Sequence, residues 1–339
     1  MNIAIDLGTS NTRIFVEEKG KQLDEPSAIA HNTETGEIIA VGEQALKMLG
    51  KTPSAIEALY PLENGVVAHS YLVEDLVNIF LNEVYTSKVV MPRVVASIPI
   101  DVTDVEKRAV VNAISSFGVR RVYLIEGAKA AAMGCNLPVM SPHGCMIANL
   151  GGGTAEIAVL SLGGISVSKT VKSAGNQMDE DIIKYIRRKH NLHIGRRMAE
   201  QCKIAIGCVI KPEEEKTFTV KGRDALRGLP KSVTVTSSEI MEAIIDNAMA
   251  IVTAITDVLE KTPPELTGDI HSDGITLSGG LSQLEGFPEL VKKYTGIATV
   301  TVANEPLDCT INGCGKAIAY IDDVEHTKDG EIIPLMAAY

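Results

Sequence analysis

A chain of 339 residues is long for one hydrophobic core and suits two domains or more. Its apolar share of 45% and charged share of 22% are those of a soluble globular protein, and no stretch approaches the ~18 uninterrupted apolar residues of a spanning helix. The net charge of −11 argues against a nucleic-acid binder that works through a basic field.

The chain opens on apolar strand residues rather than on a basic-then-apolar leader, so a secreted precursor is not expected. Residues 3–16 read as strand, tight turn, strand. This hairpin leads to 22–30, followed by a turn over 31–36, a strand over 37–41 and a short helix over 42–49. Residues 61–65, with Pro61 and Gly65, break the chain before a helix over 70–84. A buried strand over 94–98 ends at Pro99. Thr103 then caps a helix reaching about Ser116, with Glu106 three residues on as in a capping box. A strand over 122–125 leads into a small-residue helix over 127–134. Residues 138–144 form a compact break, where the chain is expected to cross between domains. Beyond it come strands within 147–160 and over 164–171, helices near 179–190 and 195–206, and a polar strand pair over 216–220 and 232–236. Long helices cover 238–261. A strand over 274–277 runs into Ser278-Gly279-Gly280, and the last helix starts near Gly313. The tail, 327–339, mixes charge and apolar residues without a period. Strands interleaved with helices in this order mean α/β layers around a mixed sheet. The six cysteines form no C-x-x-C pair and read as reduced, mostly buried small residues. His190 and His193 stand three apart in a helical stretch, but no acidic or Cys partner at matching spacing supports a metal site there.

One motif is written twice. Ile3-Ala-Ile-Asp-Leu-Gly-Thr-Ser-Asn-Thr-Arg-Ile-Phe-Val16 matches Met146-Ile-Ala-Asn-Leu-Gly-Gly-Gly-Thr-Ala-Glu-Ile-Ala-Val159, with Leu7 on Leu150, Gly8 on Gly151 and Ile14 on Ile157. In both, an apolar strand enters a turn of small residues and a second apolar strand leaves it. Such turns lack bulk, so backbone N–H groups and hydroxyls can close around a phosphate. Two of them facing each other would grip a polyphosphate from both sides.

The paired pattern resembles the phosphate signature of the actin, sugar-kinase and heat-shock-chaperone ATPase superfamily. Further segments are similar to the MreB family, the bacterial actin homologues that organise cell-wall synthesis in rod-shaped cells: Glu25-Pro-Ser, Val41-Gly-Glu-Gln-Ala, Pro61-Leu-Glu-Asn-Gly-Val, Thr103-Asp-Val-Glu-Lys-Arg-Ala, Leu137-Pro, Met178-Asp-Glu and Thr262-Pro-Pro-Glu-Leu. The resemblance runs to about residue 320, and the chain stops where a chaperone would need a peptide-binding domain. It implies an α/β actin-like ATPase fold: two related RNase H-like domains, each with a smaller subdomain, and a nucleotide cleft between them. The expected subdomains are IA (1–32, 66–140, 312–339), IB (33–65), IIA (141–180, 238–311) and IIB (181–237).

Carried over by position, the resemblance implies ATP or ADP with Mg²⁺ as ligands. Asp6, Gly8, Thr9, Ser10 and Asn11 match the first phosphate loop, with Asp6 holding Mg²⁺ through water. Gly151, Gly152, Gly153 and Thr154 match the second. Glu200 and Lys203, one helical turn apart, match the pair that holds ribose and adenine. Ser278, Gly279 and Gly280 match the purine loop, whose third Gly is Leu281 here, narrowing the adenosine slot. Two departures bear on hydrolysis. Where the family reads Ile-Glu-Glu-Pro, with the second Glu polarising the attacking water, this chain reads Ile125-Glu126-Gly127-Ala128. The family's carboxylate opening the second loop is Asn149, which accepts hydrogen bonds but carries no charge. Glu126 and Thr154 remain as catalytic candidates, although a one-residue offset at a strand end points a side chain elsewhere. The expectation is a divergent paralogue that binds nucleotide and hydrolyses it slowly, with Gly127→Glu plus Asn149→Asp raising turnover.

The resemblance further implies a cytoplasmic filament protein whose partners are itself, the cell-wall elongation machinery and the inner face of the plasma membrane, with no nucleic acid. With no amphipathic helix ahead of the first strand, the membrane contact would fall to Val89, Val90 and Met91. A small-molecule kinase of the same superfamily and a nucleotide-sensing regulator of a related filament are the alternatives.

Overall fold

The computed structural model describes residues 2–85, 90–326 and 336–339. β1 (Asn2–Leu7) and β2 (Asn11–Val16) pair antiparallel, Ile5 opposite Ile14 and Leu7 opposite Thr12. In β2 the alternation buries Thr12, Ile14 and Val16 and leaves the other face partly open. β3 (Gly20–Pro26) extends the meander. The segment 22–30 is divided between two sheets, because β4 (Ile29–Asn32) joins a different one. The break is at Ser27, whose N–H donates to Ser10 O (2.9 Å) and whose hydroxyl donates to Gly8 O (2.6 Å), fastening the chain to the first turn before it departs.

β4 pairs with β5 (Ile38–Val41) and, past α1 (Gly42–Met48), with β6 (Ile56–Leu59). Residues 61–65 do more than break the chain. They hold most of a small ribbon, β7 (Leu62–Glu63) and β8 (Val66–Val67), turned by Asn64 and Gly65, both at positive φ as in a type I′ hairpin. α2 (Ser70–Val84) buries Leu72, Val73, Leu76, Val77, Phe80 and Leu81 along one stripe. After β9 (Arg93–Ile98), α3 (Asp104–Ser115) starts with the expected capping box: Glu106 N–H donates to Thr103 Oγ1 and Thr103 N–H to the Glu106 carboxylate. β10 (Arg121–Glu126) and α4 (Gly127–Gly134) close the first half, with β9 parallel to both β1 and β10.

The second half repeats the plan. β11 (Cys145–Leu150), β12 (Ala155–Ser161) and β13 (Gly164–Val171) form a meander in the register of the first, so that Asn149 faces Glu156 as Asp6 faces Arg13. α5 (Gly175–His190), β14 (Leu192–His193) and α6 (Arg196–Ile206) follow. The polar pair, β15 (Thr217–Asp224) and β16 (Pro230–Thr236), is longer than expected, because cross-strand pairing carries it beyond its β-prone residues. Next come α7 (Ser237–Lys261), α8 (Pro264–Asp273), β17 (Ile275–Ser278), α9 (Phe287–Thr295) and β18 (Val300–Val302). α10 (Cys309–Ala317) starts earlier than expected from Gly313, and α11 (Ile321–His326) and β19 (Ala337–Ala338) complete the described chain. Among the described residues one sheet runs β19-β10-β9-β1-β2-β3 and the other β13-β12-β11-β17-β18.

α4 and α10 lie between the two sheets and cross backbone to backbone. A Cβ on Gly134 would fall 1.9 Å from Cys309 O, and one on Gly313 1.7 Å from Ala130 O. The apolar cluster around them takes Ala4, Val95, Tyr123 and Ile125 from the first sheet and Ile147, Ala158 and Leu160 from the second. This shared core holds the two glycine turns opposite each other.

Candidate functional site

The two turns have one hydrogen-bond plan. Gly8 N–H donates to Asn11 O (3.1 Å), and Gly151 N–H donates to Thr154 O (2.9 Å). They also face each other at contact. A Cβ on Gly152 would meet Ser10 Oγ at 2.0 Å and one on Gly153 would meet Thr9 Oγ1 at 2.3 Å, so only glycine lets the second turn approach the first. Thr9 Oγ1 accepts Gly65 N–H (2.7 Å), and Ser10 Oγ donates to Asn176 Oδ1 (3.2 Å). Asn176 stands in the first turn of α5, and its own N–H donates to Gly152 O (2.8 Å). The positive end of that helix therefore abuts the second turn. The turns line a cavity of about 840 Å³.

The floor of this cavity is acidic. Ser97 Oγ donates to Asp6 Oδ1 (2.7 Å), and Arg13 Nη1 lies 3.9 Å from Oδ2. Burial pushes the Asp6 carboxyl up, with Arg13 and Ser97 opposing it. Asn149 Oδ1 accepts from Ser278 Oγ (3.1 Å), and its amide lies 3.4 Å from Thr310 Oγ1. Beside it Glu156, 4% exposed, takes Ile100 N–H on Oε1 at 2.6 Å. Burial foremost, opposed by that N–H, takes Glu156 up to about 7.

On the opposite wall, Gly279 holds φ at +79°, and a Cβ there would strike Leu150 O at 2.3 Å. Gly279, Gly280 and Leu281 line the cavity, and Leu281 narrows it beside Gly175. Ser278 lies wholly beneath this wall. Glu200 and Lys203 line the cavity too, but the Lys203 ammonium turns inward, 2.8 Å from Asp179 Oδ1 and 2.8 Å from Gly175 O. It thus tethers the start of α5 and offers its aliphatic stem to the cavity. Asp179 is raised to about 6 by burial, with Lys203 opposing.

Of the residues singled out in the sequence, Asp6, Gly8, Thr9, Ser10, Asn11, Asn149, Gly151, Gly152, Gly153, Thr154, Glu200, Lys203, Gly279 and Gly280 all line this one cavity. Glu126 is not among its lining residues. It ends β10, and its carboxylate pairs with Lys129 at 2.9 Å, because side chains at a strand end alternate and residue 126 points away from the face that 127 occupies. Val90 and Met91 stand 54% and 65% exposed, while Val89 lies outside the described residues. Glu156, Arg13 and Asn176 were not singled out as site residues. The duplicated motif carried a signal for two of them, since 13 and 156 occupy matching places in its second strand.

Two meanders of one plan, joined by helices crossing between them and presenting a glycine turn each to a common cavity, define an actin-like fold. The MreB/Mbl family profile matches residues 1–326. The chain is 40% identical over 325 residues to the cell shape-determining protein Mbl of Bacillus cereus, covering 95% of this chain and 96% of that one. It is 39% identical over 327 residues to MreB of Escherichia coli, covering 95% and 94%. The crystal structure of MreB5 of Spiroplasma citri bound to ADP superposes with a TM-score of 0.91 at 35% identity, covering 96% and 98%. The chain belongs to the MreB/Mbl family.

Proposed function

We propose that this chain binds ATP and ADP between its two glycine turns and assembles head to tail into filaments that organise cell shape and wall synthesis. The observation that carries the reading is the contact of Gly152 and Gly153 with Ser10 and Thr9, which brings two small-residue turns to the lining of one cavity. The S. citri relative at 35% identity was solved with ADP, and curated relatives near 40% identity are cell shape-determining proteins. Asp6 suits Mg²⁺ held through water: its buried carboxyl is raised despite Arg13 and Ser97, so its negative charge is under-compensated. The metal would supply positive charge to the nucleotide's phosphates. Nucleotide favours the closed cleft by its differential affinity for that state, and closure shapes the contact between successive subunits. An open head-to-tail contact propagates without limit. Exposed Val90 and Met91 support contact with the inner membrane face, which needs avidity along a filament since each contributes at most about 1.5–3 kcal/mol. Among the described residues no helix is long and apolar enough to cross a membrane.

Electron microscopy of the purified protein with and without ATP, beside calorimetry with ADP, tests the reading. Filaments that require nucleotide are expected. Protein that binds ADP but stays monomeric at all concentrations, with and without lipid vesicles, would leave a nucleotide-sensing regulator instead.

A further inference from the structure

Glu156 sits on β12 with its carboxylate aimed into the cleft floor, and Oε2 approaches residue 127. A Cβ on Gly127 would lie 2.6 Å from that oxygen, closer than a side chain there could come without displacing it. The start of any side chain at 127 therefore falls on space already filled from β12. The carboxylate is fixed from two sides, by Ile100 N–H on Oε1 and by the amide of Asn149, its cross-strand partner. Asp6 and Asp101 are the acidic groups that act on it, and among the described residues no cationic side chain forms an ion pair with it.

Building on the nucleotide-binding reading above, we propose that Glu156 orients and deprotonates the water that attacks the terminal phosphate of ATP, taking from β12 the part that the family resemblance assigns to a glutamate at position 127. The water oxygen bonds to the γ-phosphorus as the bridging P–O bond breaks. ADP leaves with the electron pair, and the water's proton passes to Glu156 and from there to the released phosphate. Both departures from the family pattern border this carboxylate. Glycine at 127 clears the space that Oε2 fills, and asparagine at 149 donates a hydrogen bond where an aspartate would place a second negative charge against Glu156. Burial, with Asp6 and Asp101, leaves the group at about 7, near the pH at which a general base is most effective.

The test is single-turnover hydrolysis of Mg²⁺-ATP by the full chain between about pH 6 and about pH 8, beside ADP affinity by calorimetry. Wild-type turnover should rise with pH through the neutral range. Glu156→Gln, which still accepts the Ile100 N–H, should lose on the order of 10²-fold in rate and lose the pH dependence while ADP affinity holds. Gly127→Glu alone should lower turnover by displacing Glu156. Gly127→Glu combined with Glu156→Ala should exceed Glu156→Ala alone, because the freed space then accepts the new carboxylate. Wild-type turnover in Glu156→Gln, with ADP bound, overturns the assignment, as does ADP binding by the wild type without turnover. A wild type that binds no ADP overturns instead the nucleotide reading beneath it.

Discussion

Gly152 and Gly127 both border the cleft, for opposite reasons. At Gly152 the backbone itself must come within reach of Ser10, so Gly152→Leu should abolish ADP binding, and unchanged calorimetric affinity would place the phosphates elsewhere. At Gly127 the room is taken by a neighbour, Glu156, which makes the double change Gly127→Glu with Asn149→Asp a way to crowd carboxylates rather than to restore a site. Glu156 also makes stability depend on pH. Its folded value of about 7 stands above the 4.5 of a free glutamate side chain, so between those values the native state binds the extra proton and stability falls as pH rises. The cost of ionising it there is about 3 kcal/mol. In nucleotide-free protein, Glu156→Gln should therefore gain stability over wild type at about pH 8 and much less at about pH 5, read from urea midpoints. An equal gain at both pH values would mean that Glu156 ionises freely in the fold.

At the scale of elements, the crossing of α4 and α10 decides whether the turns face each other. Gly313→Ala would drive a methyl into Ala130 O and separate the helices, at a cost of about 1–3 kcal/mol. Gly268, within α8, has open space around its Cβ position, so Gly268→Ala should instead stabilise by up to about 1 kcal/mol. Urea denaturation of the pair distinguishes the two environments, and equal shifts would contradict the backbone-to-backbone crossing. These two glycines look alike in the chain. The α4 helix was legible from its run of small residues, and α3 from its capping box, because both signals are local. β18 was not, being three residues long and formed by pairing on the second sheet, and α8 has a hydrophobic stripe too weak to set a period; α9 did carry local signals, Pro288 in its first turn and Gly296 at its end.

Across the whole molecule, the lips of the cleft touch. The Arg196 guanidinium on α6 lies 4.9 Å from the Tyr60 ring centre, next to β6, and Arg197 lies 3.9 Å from Glu43 on α1. A cation over an aromatic ring contributes about 0.5–1 kcal/mol even at exposed sites, and Tyr60 and Arg196 are both half-buried. Tyr60→Ala should therefore open the cleft more readily and speed ADP release by roughly two- to fivefold, measured by stopped-flow displacement of a fluorescent ADP analogue. An unchanged rate would show that these lips do not restrain the nucleotide.

The sequence by itself determined the duplicated strand-turn-strand, its glycine turns, the family and the glycines and hydroxyls that the two turns bring to the cleft. Those features are local in the chain: a small-residue turn between apolar strands reads the same in any context. Only the tertiary structure decided which carboxylate occupies the floor. Position 127 opens the helix α4 and position 156 lies on the strand β12, and nothing in their sequence spacing says that one fills the other's space. The inward turn of Lys203 to Asp179 was hidden for the same reason, since an ionic side chain takes whichever partner the packing brings within about 3–4 Å.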